Sequence, residues 1–372
     1  METWDAIVVG GGAMGTSAAR WLAGSGRRTL LLERFRIGHA HGSSHGPNRI
    51  FRLAYHHPDY VRMAQLALVE WRALEDAAGE PLLETTGGID AGPGAAVAAE
   101  ALRAAAVGFD WIDADAARER WPLLAPPGGP LLYQADAGVC RADATVAAQA
   151  RLARAAGADV REDAPVAAIA VASDDHAEVR TEADDVHSAP TVVVTAGAWT
   201  EPLLATAGVE VPLRVTGEVI GYARMPGASP VPTLIEWPDG TRPHARYALP
   251  VPGRPDLVKI GAHQAGTVVD PDPDRRPAVP ADDLALDTFA EERFPGSRVE
   301  SVEPCLYTNT ADEDFVLGRT GPIVIGSPCS GHGFKFTPLV GRILADLATG
   351  DTPPVPLERF AFDRAALRPA RP

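Results

Sequence analysis

The apolar residues at the start of the chain form two short runs, separated by glycines and by a segment of small residues. Ala6-Ile7-Val8-Val9 is almost wholly apolar, which is typical of a strand buried on both faces. Residues 16–23 are small and apolar and end at Gly24-Ser25-Gly26, so they predict a helix. Residues 28–32 form a second apolar strand that ends at Glu33. The pattern predicts a strand, a tight turn, a helix and a second strand in succession.

Further elements follow from the same patterns along the chain. Helices are predicted at 60–77 with Asp59 as the N-cap, at 95–106, 115–120, 143–156 and 281–294, and at the end of the chain with Thr337 as the N-cap and Pro338 at the first position. Strands are predicted at 86–91, 131–134, near Val160, and at 166–171, 191–195, 213–223, 247–261, 302–307 and 321–326. The strands between 160 and 195 are expected to return to the first sheet.

The two ends of the chain therefore carry strand–helix units of one sheet, and the middle supplies another. We predict an α/β (α+β) fold with a discontinuous Rossmann-like, nucleotide-binding domain of residues 1–85, 140–210 and 306–372. A second, mainly antiparallel domain of residues 86–139 and 211–305 is expected to bind the substrate. An NAD-dependent dehydrogenase usually has a contiguous nucleotide fold, so the interrupted order disfavours that class.

The turn after the first strand carries a nucleotide-binding pattern. Gly10, Gly12 and Gly15 occupy the three glycine positions of G-x-G-x-x-G. Such glycines let backbone N–H groups approach a pyrophosphate, and the following helix N-terminus adds a partial positive charge. Glu33 is placed to accept hydrogen bonds from an adenosine ribose and disfavours a 2′-phosphate. Strand, glycines, helix, strand and acid together predict a dinucleotide site, but they do not choose FAD over NAD.

Composition narrows the class of protein. The net charge of −15 argues against nucleic acids and anionic membranes as partners, and it means that an anionic substrate needs a local positive pocket. No uncharged apolar run reaches about 18 residues, and the first five residues leave no room for a signal peptide. Cys140, Cys305 and Cys329 are too few and too scattered for a disulfide framework or a zinc site. We expect a cytoplasmic protein.

Two features of the polar residues have more than one interpretation. Only Lys259 and Lys335 among 34 basic residues are lysines, which indicates either two positions that need a compact, titratable cation or two chance survivors. His39, His41 and His45 lie close together in the glycine-rich loop 35–48. No carboxylate or cysteine accompanies them, so a loop over a cofactor is favoured and no metal is predicted.

Several motifs resemble one flavoenzyme family. Val302-Glu303-Pro304-Cys305-Leu306-Tyr307-Thr308 and Ser330-Gly331-His332-Gly333-Phe334-Lys335-Phe336 are similar to the monomeric sarcosine oxidase and N-methyltryptophan oxidase group of the D-amino-acid-oxidase-like flavoproteins. His45-Gly46, Arg49-Ile50-Phe51-Arg52 and Leu257-Val258-Lys259-Ile260-Gly261-Ala262-His263 match the same group. The resemblance covers nearly the whole chain.

This resemblance implies an FAD cofactor, attached through a thioether between Cys305 and the flavin 8α-methyl group. His45 and Arg49 match residues that flank the isoalloxazine, and Val166 and Gly197 are expected near the adenine. The full set of cofactor-binding residues is expected to be Gly10, Gly12, Ala13, Met14, Gly15, Glu33, Ser43, Ser44, His45, Arg49, Val166, Ala196, Gly197, Trp199, Cys305, Gly331, His332, Gly333, Phe334 and Lys335.

The resemblance also implies the catalytic residues. Arg52 and Lys335 match a pair that holds the substrate carboxylate, and Lys259 matches a lysine that activates dioxygen. The residues expected to line the substrate cavity are His263, Tyr247 and Tyr307, with ordinary packing as the alternative for both tyrosines. A neutral amine would lose hydride from the adjacent carbon to flavin N5. Dioxygen would then reoxidise the flavin, giving hydrogen peroxide and an imine that hydrolyses.

The chain departs from the family pattern at positions that bear on the size of the pocket and on the identity of the substrate. Gly217 and Glu218 stand where relatives often carry arginine and glutamine, residues 237–246 are longer and more basic, and Pro328-Cys329 precedes Ser330. The predicted function is an oxidase of secondary, N-methylated amino acids that acts as a monomer on a small molecule and O2. Alternatives are an oxidase that forms an imine or aromatises a cyclic amino acid, an NAD-dependent dehydrogenase, and a non-catalytic flavoprotein.

Overall fold

The computed structural model describes residues 2–240, 243–277 and 284–368. Its central sheet has six strands, of which the first five run parallel and the last is antiparallel. Every residue of the four inner strands is buried, as expected for strands covered on both faces. In spatial order the strands are Asp159–Arg161, Thr29–Leu32, Ala6–Val9, Val192–Val194, Ile323–Ser327 and Val316–Thr320.

Helices cover one face of this sheet. Ala13–Gly24 packs between Ala142–Ala155 and the last helix, Thr337–Thr349, which Pro58–Ala78 also contacts. Gly341 allows the first and last helices to approach closely, since a Cβ there would collide with the side chain of Ser17. The resulting core joins residues from both ends of the chain, as the sequence predicts.

A separate four-stranded sheet covers the other face. It consists of Glu2–Thr3, Val186–Ala189, His176–Thr181 and Val166–Ser173, and Ile169 and Val179 pack with Ile7 and Leu30 of the central sheet. The prediction that 166–171 returns to the nucleotide-binding sheet is therefore wrong. Only Ile169 of strand Val166–Ser173 is buried, so this apolar run forms a partly exposed outer strand and not a strand covered on both faces.

The middle of the chain forms a nine-stranded sheet that is antiparallel except for one parallel pair. Predicted strand 247–261 is two strands joined by a turn at Gly253, which has φ 74°. The path through the sheet is Thr267–Val268, Arg214–Arg224, Arg254–Ala262, Arg246–Val251, Thr233–Glu236, Gly88–Ala91, Leu131–Gln134 and Asp110–Ile112, with Arg298–Asn309 paired to Arg214–Arg224. The predicted α/β (α+β) class is confirmed.

The fourth sheet is small and has three strands. Its strands are Arg49–Phe51, Gly138–Cys140 and Leu83–Thr85. The predicted domain limits 139/140 and 305/306 fall inside strands Gly138–Cys140 and Arg298–Asn309. The division of the chain into two domains stays a prediction.

The helices begin and end within a few residues of their predicted limits, but two caps differ. His57, not Asp59, caps Pro58–Ala78, because its Nδ1 accepts the Asp59 N–H at 3.2 Å. Phe336, not Thr337, occupies the cap of the last helix, and Thr337 Oγ1 donates to Phe334 O at 2.6 Å. The remaining helices are Pro93–Ala104, Ala114–Arg120, Thr200–Thr206 and Leu284–Arg293, and residues 281–283 of predicted helix 281–294 lie outside the described residues.

Within the described parts of the chain, no helix has both the length and the apolar character needed to cross a bilayer.

Candidate functional site

Two adjoining cavities lie where the sheets meet. The first, of about 420 Å³, follows the carboxyl ends of the parallel strands from Gly10 to Cys305, and the second, of about 300 Å³, opens toward the nine-stranded sheet. All the predicted cofactor-binding residues except Gly15 and Lys335 line the first cavity. All six predicted catalytic residues line the second. The cavities share a wall of Arg49, Cys305, Tyr307, Gly331, His332 and Phe334.

The glycine-rich turn is shaped by close backbone contacts. Gly10 has φ 101°, and a Cβ there would lie 2.5 Å from Thr195 O. Gly15 faces the sheet rather than the cavity, since its Cβ would collide with Gly10 O. The helix begins at Ala13, three residues before the predicted start, so its N-terminus reaches the first cavity. The turn therefore presents backbone N–H groups to the cavity, as an anion-binding site requires.

Glu33 is fixed at the end of the second strand. Its carboxylate accepts the Gly11 N–H at 2.6 Å and the Phe35 N–H at 2.8 Å, and His39 Nε2 lies 3.3 Å from Oε1. Burial raises the pKa of Glu33, but the hydrogen bonds from His39, Phe35 and Gly11 outweigh it and lower the pKa overall. The carboxylate is therefore ionised. His39 is not among the residues predicted from the sequence to bind the cofactor, and its position in the histidine-rich loop 35–48 is the signal for it.

Arg49 holds the loop between the two cavities. Its guanidinium donates to Ser43 O at 2.9 Å, His45 O at 2.6 Å and Asn48 O at 2.8 Å. Burial, with the charges of Arg49 and Lys259, lowers the pKa of His45 to about 4, so the imidazole is neutral at pH 7. No group of three or more metal-ligating side chains occurs among the described residues.

Cys305 and Tyr307 point to the same face of their strand, because side chains alternate along it. Both are buried and line both cavities. Gly331, with φ 77°, gives the Tyr307 ring room that a Cβ would fill, and a Cβ at Gly333 would collide with Pro328 O. These glycines bring the backbone of 331–333 against the shared wall.

Three buried basic side chains face the second cavity. Arg52 is 8% exposed, Lys259 3% and Lys335 4%. Burial, followed by the charge of Arg49, lowers the pKa of Lys259 to about 7; burial and Arg52 lower that of Lys335 well below its usual value. Neither lysine has a carboxylate within ion-pair distance in the described part of the chain, so each retains the capacity to pair with a bound anion.

Arg52 has a partner that sequence reasoning missed. Its Nη1 lies 3.4 Å from Asp90 Oδ1, which also accepts Trp237 Nε1–H at 2.9 Å. The guanidinium lies over the rings of Tyr55, at 4.7 Å, and Trp237, at 5.1 Å. Burial raises the pKa of Asp90 against the opposing effects of Arg52 and Trp237. The sequence does contain a signal for this partner, because Asp90 is an acidic residue within the otherwise apolar strand Gly88–Ala91.

The polar residues of the cavity wall are largely neutral. Burial, with Arg52 and Lys335, lowers the pKa of His263 to about 4, and its ring lies 5.5 Å from that of Tyr307. Burial raises the pKa of both Tyr247 and Tyr307. Tyr247 also packs over Gly261, where a Cβ would collide with its hydroxyl group. The cavity thus combines neutral hydrogen-bonding groups with a permanently charged arginine, Arg52, and two lysines that can gain a proton, Lys259 and Lys335.

The departures from the family pattern are accommodated locally. Glu218 is buried and accepts hydrogen bonds from Thr216 Oγ1 at 2.6 Å and Gly266 N at 2.8 Å. Cys329 Sγ accepts the Thr308 N–H at 3.2 Å. In segment 237–246, Arg246 pairs with Glu236 and Glu292, each at 2.8 Å, so its charge is compensated. Residues 241 and 242 lie outside the described residues.

Comparisons with known proteins agree on one family. The family model for FAD dependent oxidoreductases (DAO) matches residues 5–347. Human peroxisomal sarcosine oxidase is 34% identical over 98% of this chain and 96% of that protein, and monomeric sarcosine oxidase of Bacillus sp. (strain NS-129) is 33% identical over 98% of each. The open form of NikD, described as an unusual amino acid oxidase essential for nikkomycin biosynthesis, aligns with TM-score 0.84 and 26% identity, covering 97% of this chain and 98% of that chain.

Proposed function

The chain belongs to the FAD-dependent oxidoreductase (DAO) family, and on that premise we propose that it oxidises secondary amino acids, N-methylated ones in particular. The observation that carries this proposal is the junction of the two cavities at Cys305 and Tyr307. One cavity has the features of a dinucleotide site, and the other holds buried basic side chains suited to a small carboxylate. A substrate anchored in the second cavity would meet the reactive ring of a cofactor in the first.

The residues of the first cavity fit FAD. Gly10 and Gly12 leave a backbone cradle at a helix N-terminus, where a pyrophosphate is stabilised. Glu33 supplies an ionised carboxylate for ribose hydroxyl groups. Cys305, in the shared wall, is the proposed point of thioether attachment to the flavin 8α-methyl group. FAD held there by these residues would supply a hydride acceptor at flavin N5 and the redox chemistry for reaction with dioxygen.

The second cavity would bind and orient the amino acid. Arg52 and Lys335 are proposed to hold its carboxylate, since both are buried and a charge-assisted hydrogen bond is strongest away from water. Lys259, whose pKa the nearby Arg49 helps to lower, is proposed to stabilise the negative charge that develops on dioxygen. His263, Tyr247 and Tyr307 would exclude water and present neutral donors. The products are an imine, which water hydrolyses, and hydrogen peroxide.

We retain the division into a cofactor domain of residues 1–85, 140–210 and 306–372 and a substrate domain of residues 86–139 and 211–305 as part of this proposal. Its support is the sheet topology, in which most strands of the central sheet come from the first set of ranges and most strands of the nine-stranded sheet from the second. The shared cavity wall lies at their junction.

A second candidate is the oxidation of a cyclic amino acid to an imine or an aromatic ring. Its support is the similarity to NikD together with an aromatic pair in the substrate cavity, where the rings of His56 and Trp237 lie 4.1 Å apart. The two rings are tilted by 44° to one another, and each offers a face or an edge against which a substrate ring could pack.

A peroxide screen tests the proposal and separates the two candidates. The holoenzyme is mixed with N-methyl and cyclic amino acids, and hydrogen peroxide and formaldehyde are both measured. N-methyl substrates oxidised at the methyl carbon give both products, whereas a cyclic amino acid gives peroxide alone. The matching amines without a carboxylate serve as controls and should react far more slowly. Absence of peroxide with every secondary amino acid refutes the proposal.

A further inference from the structure

Lys335 is a buried amine with an unusual set of neighbours. Its Nζ donates to Tyr55 OH at 3.0 Å and to His332 O at 2.7 Å. Both acceptors are neutral oxygens, and the described residues place no carboxylate within ion-pair distance of Nζ. The titratable and charged groups that face it are Arg52, Tyr55, His332, His263 and the thiol of Cys140.

The hydrogen bonds around Lys335 have a defined direction. His332 Nε2 lies 3.0 Å from Glu313 O, and because a carbonyl oxygen only accepts, Nε2 carries the ring hydrogen. In the neutral ring Nδ1 is then an acceptor, and Tyr55 OH lies 3.3 Å from it. The hydroxyl therefore donates to His332 and accepts from Lys335. This tautomer follows from the partners of the two ring nitrogens.

A neutral amine satisfies this arrangement and an ammonium does not. A neutral amine has two N–H donors, which the oxygens of Tyr55 and His332 accept, and one lone pair. An ammonium would add a third N–H with no described acceptor and a charge beside Arg52 with no counter-ion. Burying an unpaired charge is costly, so the neutral form is favoured until an anion pairs with the amine. The depressed pKa of Lys335, caused by burial and then by Arg52, agrees with this geometry.

We propose that Lys335 accepts the proton of the substrate's ammonium group and, once protonated, pairs with the substrate's carboxylate. The inference rests on the proposed oxidation of a secondary amino acid. One N–H bond of the substrate breaks and its electron pair stays on the substrate nitrogen, while a new N–H bond forms at Lys335 Nζ. The net charge of the complex is unchanged, and no oxidant takes part.

This transfer links binding to reactivity. Secondary amino acids dissolve as zwitterions, but loss of hydride from the adjacent carbon needs the nitrogen lone pair. Transfer of this proton to Lys335 frees the nitrogen lone pair for the reaction. It also gives Lys335 the positive charge that binds the carboxylate, beside the guanidinium of Arg52. An amine without a carboxylate would not stabilise the protonated lysine, so it would bind mostly in its unreactive, protonated form.

Counting protons on binding tests the inference. The probe is the thioether acid in which sulfur replaces the amine nitrogen of the fastest substrate; for N-methylglycine it is (methylthio)acetate. It has a carboxylate but no proton to give, so Lys335 must take one from solvent. Titration calorimetry of the holoenzyme near pH 8, in buffers of different ionisation enthalpy, should show uptake of about one proton per acid bound.

Three variants test which residue takes up the proton when the thioether acid binds. Lys335→Met should abolish the proton uptake, and His263→Asn should retain it. Tyr55→Phe removes a hydrogen-bond acceptor that favours the ammonium, so the pH above which the thioether acid dissociates should fall. This pH shift keeps the inference testable if Lys335→Met does not fold.

Three results overturn the inference. They are binding without proton uptake in the wild-type enzyme, unchanged uptake in Lys335→Met, and loss of uptake in His263→Asn alone. Each of them leaves the proposed function intact if secondary amino acids still yield peroxide. Failure of every secondary amino acid to reduce the flavin refutes the proposed function instead, and the two failures are thus distinguishable.

Discussion

Replacing Lys259 with methionine should slow the reaction with dioxygen far more than the reaction with substrate. Lys259 is buried, donates to Asn48 O at 3.3 Å and lies close enough to Arg49 for that charge to lower its pKa. Methionine keeps the length and apolar stem of the side chain but removes the charge. The substitution therefore isolates the electrostatic role from packing.

The expected loss of reoxidation rate in Lys259→Met follows from two opposing free energies. The pKa of Lys259 is lowered from 10.5 to about 7, which corresponds to about 5 kcal/mol against the protonated form. A cation about 4 Å from a new anion, in an effective dielectric of about 20, gains about 4 kcal/mol. The attraction to the anion offsets most of this penalty and returns the pKa of Lys259 toward its ordinary value, so the amine is protonated when the anion forms. After a discount for partial solvation, roughly a hundredfold loss of reoxidation rate is expected.

The measurement is stopped-flow absorbance of the flavin in separate half-reactions. Reduction by substrate without oxygen should change little, whereas reoxidation by dissolved oxygen should slow in Lys259→Met and recover only in part in Lys259→Arg, whose charge is spread over a larger plane. The stabilising cation is present below the lysine pKa. In the wild type, reoxidation should therefore fall as pH rises through that pKa, which a nearby anion raises above 7, and this fall should vanish in Lys259→Met.

Two outcomes would refute this reasoning. If Lys259→Met reoxidises at the wild-type rate, the lysine has no part in the oxygen reaction. If its reoxidation slows but keeps the wild-type pH dependence, another group supplies the charge.

Three other predictions concern the cofactor and the cavity walls. After acid precipitation, the yellow colour should stay with the wild-type pellet and pass to the supernatant in Cys305→Ala; free flavin from the wild type would contradict the thioether. Asp90→Ala should lower the free energy of unfolding in urea by about 3–5 kcal/mol, because it leaves the charge of Arg52 unpaired. The double variant Arg52→Met with Asp90→Leu should recover most of that loss, and an equal loss in both variants would argue against a coupled pair. Gly333→Ala should cost about 1–3 kcal/mol and lower the melting temperature, because its Cβ meets a backbone carbonyl, whereas Gly108→Ala, with open space around it, should not.

The parts of the fold that the sequence predicted are those with a local signal. Strand Ala6–Val9 and the glycines that follow it form one continuous segment, and each residue type has one structural interpretation there. The caps were harder to predict, since several polar residues compete at each helix start. His57 precedes Pro58 and accepts the Asp59 N–H, although aspartate is the commoner cap.

The missed site residues depend on pairing between distant strands. Asp90 lies opposite Ile235 in a parallel pair, and this register brings its carboxylate to Trp237. Tyr55 reaches Lys335 across 280 positions of sequence. No spacing rule connects such residues, so the substrate cavity could be inferred only through the family resemblance.

The order of the central strands has a consequence for how the protein is made. Val192–Val194 joins Ala6–Val9 on one side and Ile323–Ser327 on the other, and the helix Thr337–Thr349 closes the core. During synthesis the ribosome must therefore release almost the whole chain before the first helix, already able to pack on Ala142–Ala155, acquires its second neighbour, Thr337–Thr349. Until then, the edge of Val192–Val194 stays unpaired and open to wrong partners. Stable capture of the cofactor is thus a late event, after translation of residue 349 rather than of the glycine-rich turn.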